Sequence, residues 1–364
     1  MKKLILVIVA LGLFLQLDAQ THKTQNVIIV TLDGFRWQEL YRGADSALIN
    51  SNFTKDKKET TKRFWAATAA ERRKILLPFF WNTIAQKGQL YGDRDAGGKD
   101  EVANPYHFSY PGYNEIFTGF PDVRMNTNDP IPNPNMNVLE YLNKQPGFKD
   151  KIAVFTSWQI FPAILSAERS GLPVNSGYAD FKDPKAGDRL KYLNDIQHKV
   201  PEIIGPDERL DFLTFEFSKE YIKQYKPRVL YMGFDETDDL AHDGNYQLYL
   251  QSAQKEDGFL GELWQYLQTD PQYKDKTTLI ITCDHGRGDV PLQNWRDHGT
   301  DTPHSGQTWF AVIGPDTPAK GIITGDTTTY HKQLAQTISK LLGLDFKAAA
   351  GHEVGEPVNT VLGK

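Results

Sequence analysis

Five short runs of apolar, β-branched residues constrain this chain more than any other feature: Asn26 to Leu32, Lys151 to Thr156, Arg228 to Phe234, Thr277 to Thr282 and Thr308 to Ile313. Each is nearly continuous in apolar residues and ends in a polar or glycine-containing loop, which is how strands buried on both faces of a parallel sheet read. Leu76 to Lys87, Asn137 to Asn143, Tyr246 to Gln268 and His331 to Leu342 carry the spacing of amphipathic helices. The alternation predicts an α/β fold, a three-layer α/β/α sandwich with a mostly parallel central sheet. Ligands bind beyond the carboxyl ends of the strands in such sheets. Asp33, Asp235 and Asp284 stand at or just past three of those ends.

Two stretches break the pattern. Ala44 to Arg73 is polar and charged, and Phe161 to Asp211 is rich in proline, glycine and charge. Both are expected as cap-like insertions, near 44–73 and 161–211, in one domain running from 20 to 364. Residues 1–19 have the form of a cleavable signal peptide: Met1-Lys2-Lys3, the apolar run Leu4 to Leu15, then Leu17-Asp18-Ala19. That run is short for a membrane span, so the expected location is periplasmic or secreted. Cys283 is the single cysteine, which excludes an internal disulfide framework and cysteine-rich zinc sites. A net charge of −5 gives no reason to expect nucleic-acid duplex binding. The expected partner is a small molecule, and nothing in the sequence specifies an oligomeric state.

The chemistry-bearing residues fall into separate clusters. The segment from His107 to Gly119 holds Ser109, Pro111 and then a short helix expected over Asn114 to Phe120, closed by Gly119. Ser109 stands where an N-cap would stand, beside unpaired helix N–H groups that favour negative charge. Asp33-Gly34 follows the first apolar run, and Asp284-His285-Gly286 follows the fourth. A carboxylate and an imidazole side by side after a buried strand suit a divalent metal. Asp238 and His242 are four residues apart, so one helical turn sets both on one face. Two further histidines, His298 and His304, compete for one more ligand position, and spacing does not separate them. Together these supply imidazole and carboxylate ligands for two divalent ions, with zinc the expected metal. A pair of ions about 4 Å apart suits in-line phosphoryl displacement, with Ser109 as the nucleophile.

The order of these motifs resembles the alkaline phosphatase superfamily, and most closely its type I phosphodiesterase/nucleotide pyrophosphatase branch. The matching elements are Asp33-Gly34, Ser109-Tyr110-Pro111, Asp238 to His242, Asp284-His285-Gly286, and His304-Ser305-Gly306 before Gly314-Pro315. The resemblance implies one metal on Asp238, His242 and His304, and a second on Asp33, Ser109, Asp284 and His285. His304 is preferred to His298 because the last ligand of the family precedes a glycine and then a buried strand. Members of this branch usually carry Asn three positions after the nucleophile, where this chain has Gly112; Asn114 is the candidate substitute for holding the phosphoryl group. Tyr113 stands where sulfatases carry the Arg of their modification signal, which argues against a sulfatase. The implied function is an exported two-metal phosphohydrolase, a phosphodiesterase acting through a phosphoserine intermediate on a small phosphate ester. The alternatives are a phosphomonoesterase or phosphotransferase of the same superfamily, or an inactive metal- or glycan-binding protein on the same fold.

Overall fold

A computed structural model describes residues 22–364; the segment expected to be a signal peptide lies outside the described residues. The strands, in chain order, are β1 (Asn26–Leu32), β2 (Gln89–Tyr91), β3 (Gly98–Glu101), β4 (Ile152–Thr156), β5 (Val174–Ser176), β6 (Val229–Phe234), β7 (Thr277–Thr282), β8 (Gln307–Thr308), β9 (Phe310–Ile313), β10 (Gly321–Ile322) and β11 (Thr327–Tyr330). Eight of them form one sheet in the order β10-β2-β9-β7-β1-β6-β4-β5, and β11-β3-β8 form a small second sheet. At the centre β1 pairs in parallel with β6 and with β7, Val27 lying opposite Val229 on one side and Thr278 on the other. Within the large sheet only β9 runs against its neighbours, antiparallel to both β7 and β2.

The expected strands are buried on both faces, and the side-chain period of two divides them between two cores. Ile28, Val30 and Leu32 pack into one core with Leu230, Met232, Leu279 and Ile281. Val27 and Ile29 enter the other with Val229, Tyr231, Ile280 and Val312. Helices cover each face, so the molecule is the layered α/β sandwich that the alternation implies. Full burial of each such aliphatic side chain is worth about 1.5–3 kcal/mol, which is why these runs carry so little polarity.

Three local expectations change. Thr308 to Ile313 is two strands in different sheets, because the chain crosses between them at Trp309. That residue is fully buried and its indole Nε1 donates to the carbonyl of Phe35 over 2.8 Å. The stretch 161–211 is more than a cap: β5 within it extends the large sheet in parallel beside β4. The helix Asp211–Tyr225 then returns across the sheet against β4 and β6. In 44–73, three short helices (Ser46–Ile49, Lys57–Phe64 and Ala69–Leu76) pack against the helices Trp37–Arg42 and Tyr246–Leu267. No helix among the described residues is long and apolar enough to cross a membrane.

Candidate active site

Asp33 leaves the end of β1, Asp235 to His242 the end of β6, and Asp284-His285 the end of β7, three adjacent strands of the sheet. A parallel sheet brings these ends to one edge, and the site forms there. Gly34 turns the chain at φ +56°, and a Cβ on it would lie 2.6 Å from both Arg287 Nη1 and Asp238 Oδ1. Glycine is therefore the residue that lets Asp33 and Asp238 share one pocket.

The helix from Ser109 to Thr118 begins five residues earlier than the periodicity suggests. Its N-cap is Phe108, so Ser109 is the first helical residue and caps nothing. Pro111 sits in the first turn, where its missing N–H has no intrahelical partner. The amide N–H of Tyr110, expected to be free, donates to Asn128 Oδ1 over 3.0 Å. The hydroxyl of Ser109 instead lies 3.3 Å from His285 Nε2. Gly112 faces Asp284: a Cβ there would stand 2.4 Å from the Asp284 carbonyl oxygen. The helix backbone packs directly on that loop, leaving no room for an Asn at this position.

His285 is the hub. Its Nε2 lies 3.4 Å from Asp33 Oδ1, 3.4 Å from Asp284 Oδ2 and 3.8 Å from Asp238 Oδ1. Its Nδ1 is 2.9 Å from its neighbour's carbonyl, Gly286 O, so the Nδ1–H donates there and Nε2 is the nitrogen that faces the carboxylates. His298 stacks on it, with ring centroids 3.9 Å apart, and its Nδ1 lies 3.3 Å from the carbonyl of His107. That contact leaves His298 Nε2 facing inward too, 2.9 Å from His242 Nε2 and 3.7 Å from Asp238 Oδ1. His242 Nε2 is 3.1 Å from Asp238 Oδ2.

Burial and the neighbouring charge of Asp33 push the Asp284 carboxyl well above its ordinary range. Burial opposes a charge on His285, yet Asp284, Asp33 and Asp238 raise its pKa to about 9. Asp238 goes the other way: burial works against its charge, but Arg287, His298 and His242 hold it well below the usual carboxylate range.

Two groups of ligand atoms lie within 4.8 Å of one another: Asp33, Asp284 and His285, and Asp238, His285 and His298. In the first group, Asp33 Oδ1 and Asp284 Oδ2 are buried with no hydrogen-bond donor among the described residues. Buried carboxylate oxygens without partners are costly, and a divalent cation satisfies both at once. The donor set, imidazole nitrogen with carboxylate oxygen, fits such ions.

A family model for type I phosphodiesterase / nucleotide pyrophosphatase matches residues 45–322. The chain belongs to that family. Among solved structures it is similar to wild-type alkaline phosphatase PafA, with TM-score 0.59 and 10% identity over 93% of this chain and 99% of that one. It is also similar to the phosphonate monoester hydrolase of Agrobacterium radiobacter, with TM-score 0.55 and 14% identity over 93% and 77% of the two chains. The lipoteichoic acid synthase LtaP of Listeria monocytogenes gives TM-score 0.53 and 13% identity over 93% and 76%. These likenesses concern the fold, which is that of the alkaline phosphatase superfamily. No curated protein matches the sequence.

The family match begins after Asp33, yet the fold returns that residue to the rest of the site. Of the residues singled out in the sequence, Asp33, Ser109, Asp238, His242, Asp284 and His285 come together. His304 does not. It adopts a left-handed conformation at φ +72°, is half exposed, and its Nδ1 contacts Asp289 Oδ1 at 2.6 Å. The histidine that the structure brings to the cluster is His298, whose ring the His107 carbonyl and the face of His285 hold in place. Asn114 also points elsewhere: its Nδ2 donates to Phe120 O and its Oδ1 accepts from Asn133 Nδ2. Its role is to close the end of the helix.

Sequence reasoning missed two contributors. The Tyr113 hydroxyl donates to Asp33 Oδ2 over 2.8 Å, fixing that carboxylate from the Ser109 helix. Tyr113 follows Ser109 by four residues, so one helical turn was the available signal. Arg287 pairs with Asp238 Oδ1 and donates to the carbonyls of Trp295 and Arg296. Its position directly after Asp284-His285-Gly286 is the only trace of this in the sequence.

Proposed function

We propose that the protein is an exported phosphodiesterase that uses two divalent ions, zinc being the metal the imidazole ligands favour, and a phosphoserine formed on Ser109. The observation that carries this reading is the Ser109 hydroxyl, 3.3 Å from His285 Nε2 at the edge of a pocket in which Asp33 Oδ1 and Asp284 Oδ2 have no donor among the described residues. In this reading Asp33, Asp284 and His285 hold one ion with Ser109 beside it, and Asp238, His242 and His298 hold the other. Such ions supply charge neutralisation for the phosphoryl group and lower the pKa of bound hydroxyls.

The protein's own residues then have defined tasks. Tyr113 holds Asp33, the carbonyls of Gly286 and His107 hold the two imidazoles, and Arg287 holds Asp238. Ser109 Oγ attacks phosphorus: the new Oγ–P bond forms as one ester P–O bond breaks, Ser109 gives its proton to solvent, and the leaving oxygen takes one up and departs as the alcohol. Water then attacks the phosphoserine, releasing phosphate monoester and restoring the Ser109 hydroxyl. Family membership supports the diester preference; the exported location rests on the form of residues 1–19.

The test is kinetic. Ser109→Ala should retain bound metal and lose turnover by several orders of magnitude, on the scale of about 10⁶ seen when a covalent nucleophile is removed from subtilisin. Wild-type enzyme quenched in turnover should carry phosphate on the peptide spanning Tyr106 to Arg124. A Ser109→Ala enzyme working at a tenth of the normal rate would leave Ser109 without a covalent role.

A further inference from the structure

Beside this site lies a second acidic group that the reaction does not use. Glu208, Asp235 and Asp239 each place one carboxylate oxygen within 4.8 Å of the others. They come from separate parts of the chain. Asp235 follows β6 and precedes the helix Glu236–His242, Asp239 lies one turn into that helix, and Glu208 is delivered by the 161–211 stretch. The Glu208 loop is pinned to the end of β4: Gln159 N–H donates to Asp207 O and Arg209 N–H donates to Ser157 O. The Arg209 guanidinium is fully buried and donates to Asn175 Oδ1 and the carbonyl of Thr156. The loop is therefore built to hold Glu208 where it stands.

Among the described residues no donor answers these charges. Asp235 is only 5% exposed; burial first, and then the neighbouring acids Glu208, Asp33, Asp239 and Asp238, hold its carboxyl well above the ordinary range. Asp239 Oδ2 is buried with no hydrogen-bond partner. Among the described residues, no hydroxyl, amide or basic side chain donates to any of the three carboxylates.

The adjacent acids behave differently. Asp211 accepts from the Ser157 hydroxyl and from the N–H groups of Asp235 and Glu236. Glu236 accepts from Ser252 and from the Asp211 N–H, and Glu256 from Ser252. Asp211 and Glu236 thus have their own donors, while Glu256 shares the Ser252 hydroxyl and keeps one oxygen, Oε2, without a partner. The Glu208 group has none, and buried acids in that state demand a cation or shared protons.

We propose that Glu208, Asp235 and Asp239 form a separate site for one hard divalent cation of the calcium or magnesium class. The ligands are all carboxylate oxygens, which suit these ions rather than the imidazole-loving metals of the main site. Glu208 and Asp239 are partly exposed, giving the ion an entry and room for bound water. The bound ion ties the 161–211 stretch to the helix that carries Asp238 and His242, so it stiffens the main site without touching substrate.

The experiment counts metals on the full chain. Zinc-loaded protein is titrated with Ca²⁺ and, separately, with Mg²⁺ by calorimetry, and bound metals are counted by mass spectrometry. One extra equivalent of Ca²⁺ or Mg²⁺ per chain, with zinc retained, is expected. Glu208→Gln and Asp239→Asn should each weaken it at least about tenfold, the scale on which even outer-shell changes act on metal affinity, while the zinc count stays unchanged. Absence of the extra equivalent, or binding unaltered in both variants, would overturn the proposal and leave shared protons as the way these acids are buried. Should the variants fail to fold, crystals of the wild type soaked in Mn²⁺ decide: an anomalous peak among the three carboxylates supports the site, and its absence there overturns it. The zinc count tests the catalytic reading and the second count tests this one, so either can fail alone.

Discussion

At the scale of single residues, the choice between two histidines shows how little chain position says about a ligand. His298 and His304 both precede small residues near a late strand, and the one followed by Ser305-Gly306 looked the better match. The decisive facts are orientation and surroundings. His298 is clamped between the His285 ring and the His107 carbonyl with Nε2 turned inward, whereas His304 turns outward to Asp289. His298→Ala should therefore remove about one metal per chain and most turnover, while His304→Ala should keep both; metal analysis beside kinetics checks this. Loss of metal from His304→Ala alone would reverse the assignment. Tyr113 belongs to the same scale: the residue that stands where sulfatases carry an Arg is a buried donor to Asp33.

At the scale of elements, the Ser109 helix is held by a buried clamp rather than by its own propensity. Glu115 is fully buried and accepts from the N–H groups of Ala103, Asn104 and Lys332 and from the Asn104 amide. One carboxylate thereby joins the nucleophile helix, the loop before it and the segment leading into the last helix. Glu115→Ala strands these donors, each costing about 1–3 kcal/mol, so denaturant unfolding should show a loss of roughly 3 kcal/mol or more. Glu115→Gln should lose less, because one oxygen still accepts.

A second clamp predicts a pH effect. Asp257, on the helix Tyr246–Leu267, accepts the N–H groups of Phe79 and Phe80 at the start of the turn Phe80–Ile84. Burial raises its pKa to about 7, although those two N–H groups favour the charged form. An acid whose pKa is raised by folding binds a proton more tightly in the folded state. Its contribution to stability is therefore present below the unfolded value, about 3.9, and is lost as pH rises towards 7. The Tm of wild type minus that of Asp257→Asn should fall, or become more negative, between pH 4.5 and pH 8; a signed difference that rises over that interval would contradict this.

At the scale of the whole molecule, stability and site are coupled because the orphaned acids lie between the central strands. Asp33, Asp238 and Asp284 converge from β1, β6 and β7, so their repulsion acts on the middle of the sheet. A bound cation stabilises only the folded form by mass action. Removing metal with a chelator should lower Tm, and restoring zinc should raise it again more than an equal concentration of magnesium does. An unchanged Tm would separate the site from the stability of the fold.

The sheet was legible from residues alone because parallel strands buried on both faces must be apolar throughout, and that requirement is local. The same holds for the carboxylates at strand ends, since a strand's terminus predicts where its next residue goes. Strand order, the passage of Thr308 to Ile313 between two sheets at Trp309, and the entry of β5 into the large sheet depend on pairing between distant segments. No window of sequence contains both partners of such a pair. The start of the Ser109 helix was obscured for a related reason: Pro111 and Gly112 weaken helical propensity, and close packing on Asp284 overrides it. The selection of His298 over His304, the tying down of Asn114, and the meeting of Glu208 with Asp235 and Asp239 were likewise decided by tertiary structure. Residue type and spacing determine which side chains can bind a cation; only the folded chain sets which lone pairs converge and which are already taken by a neighbour.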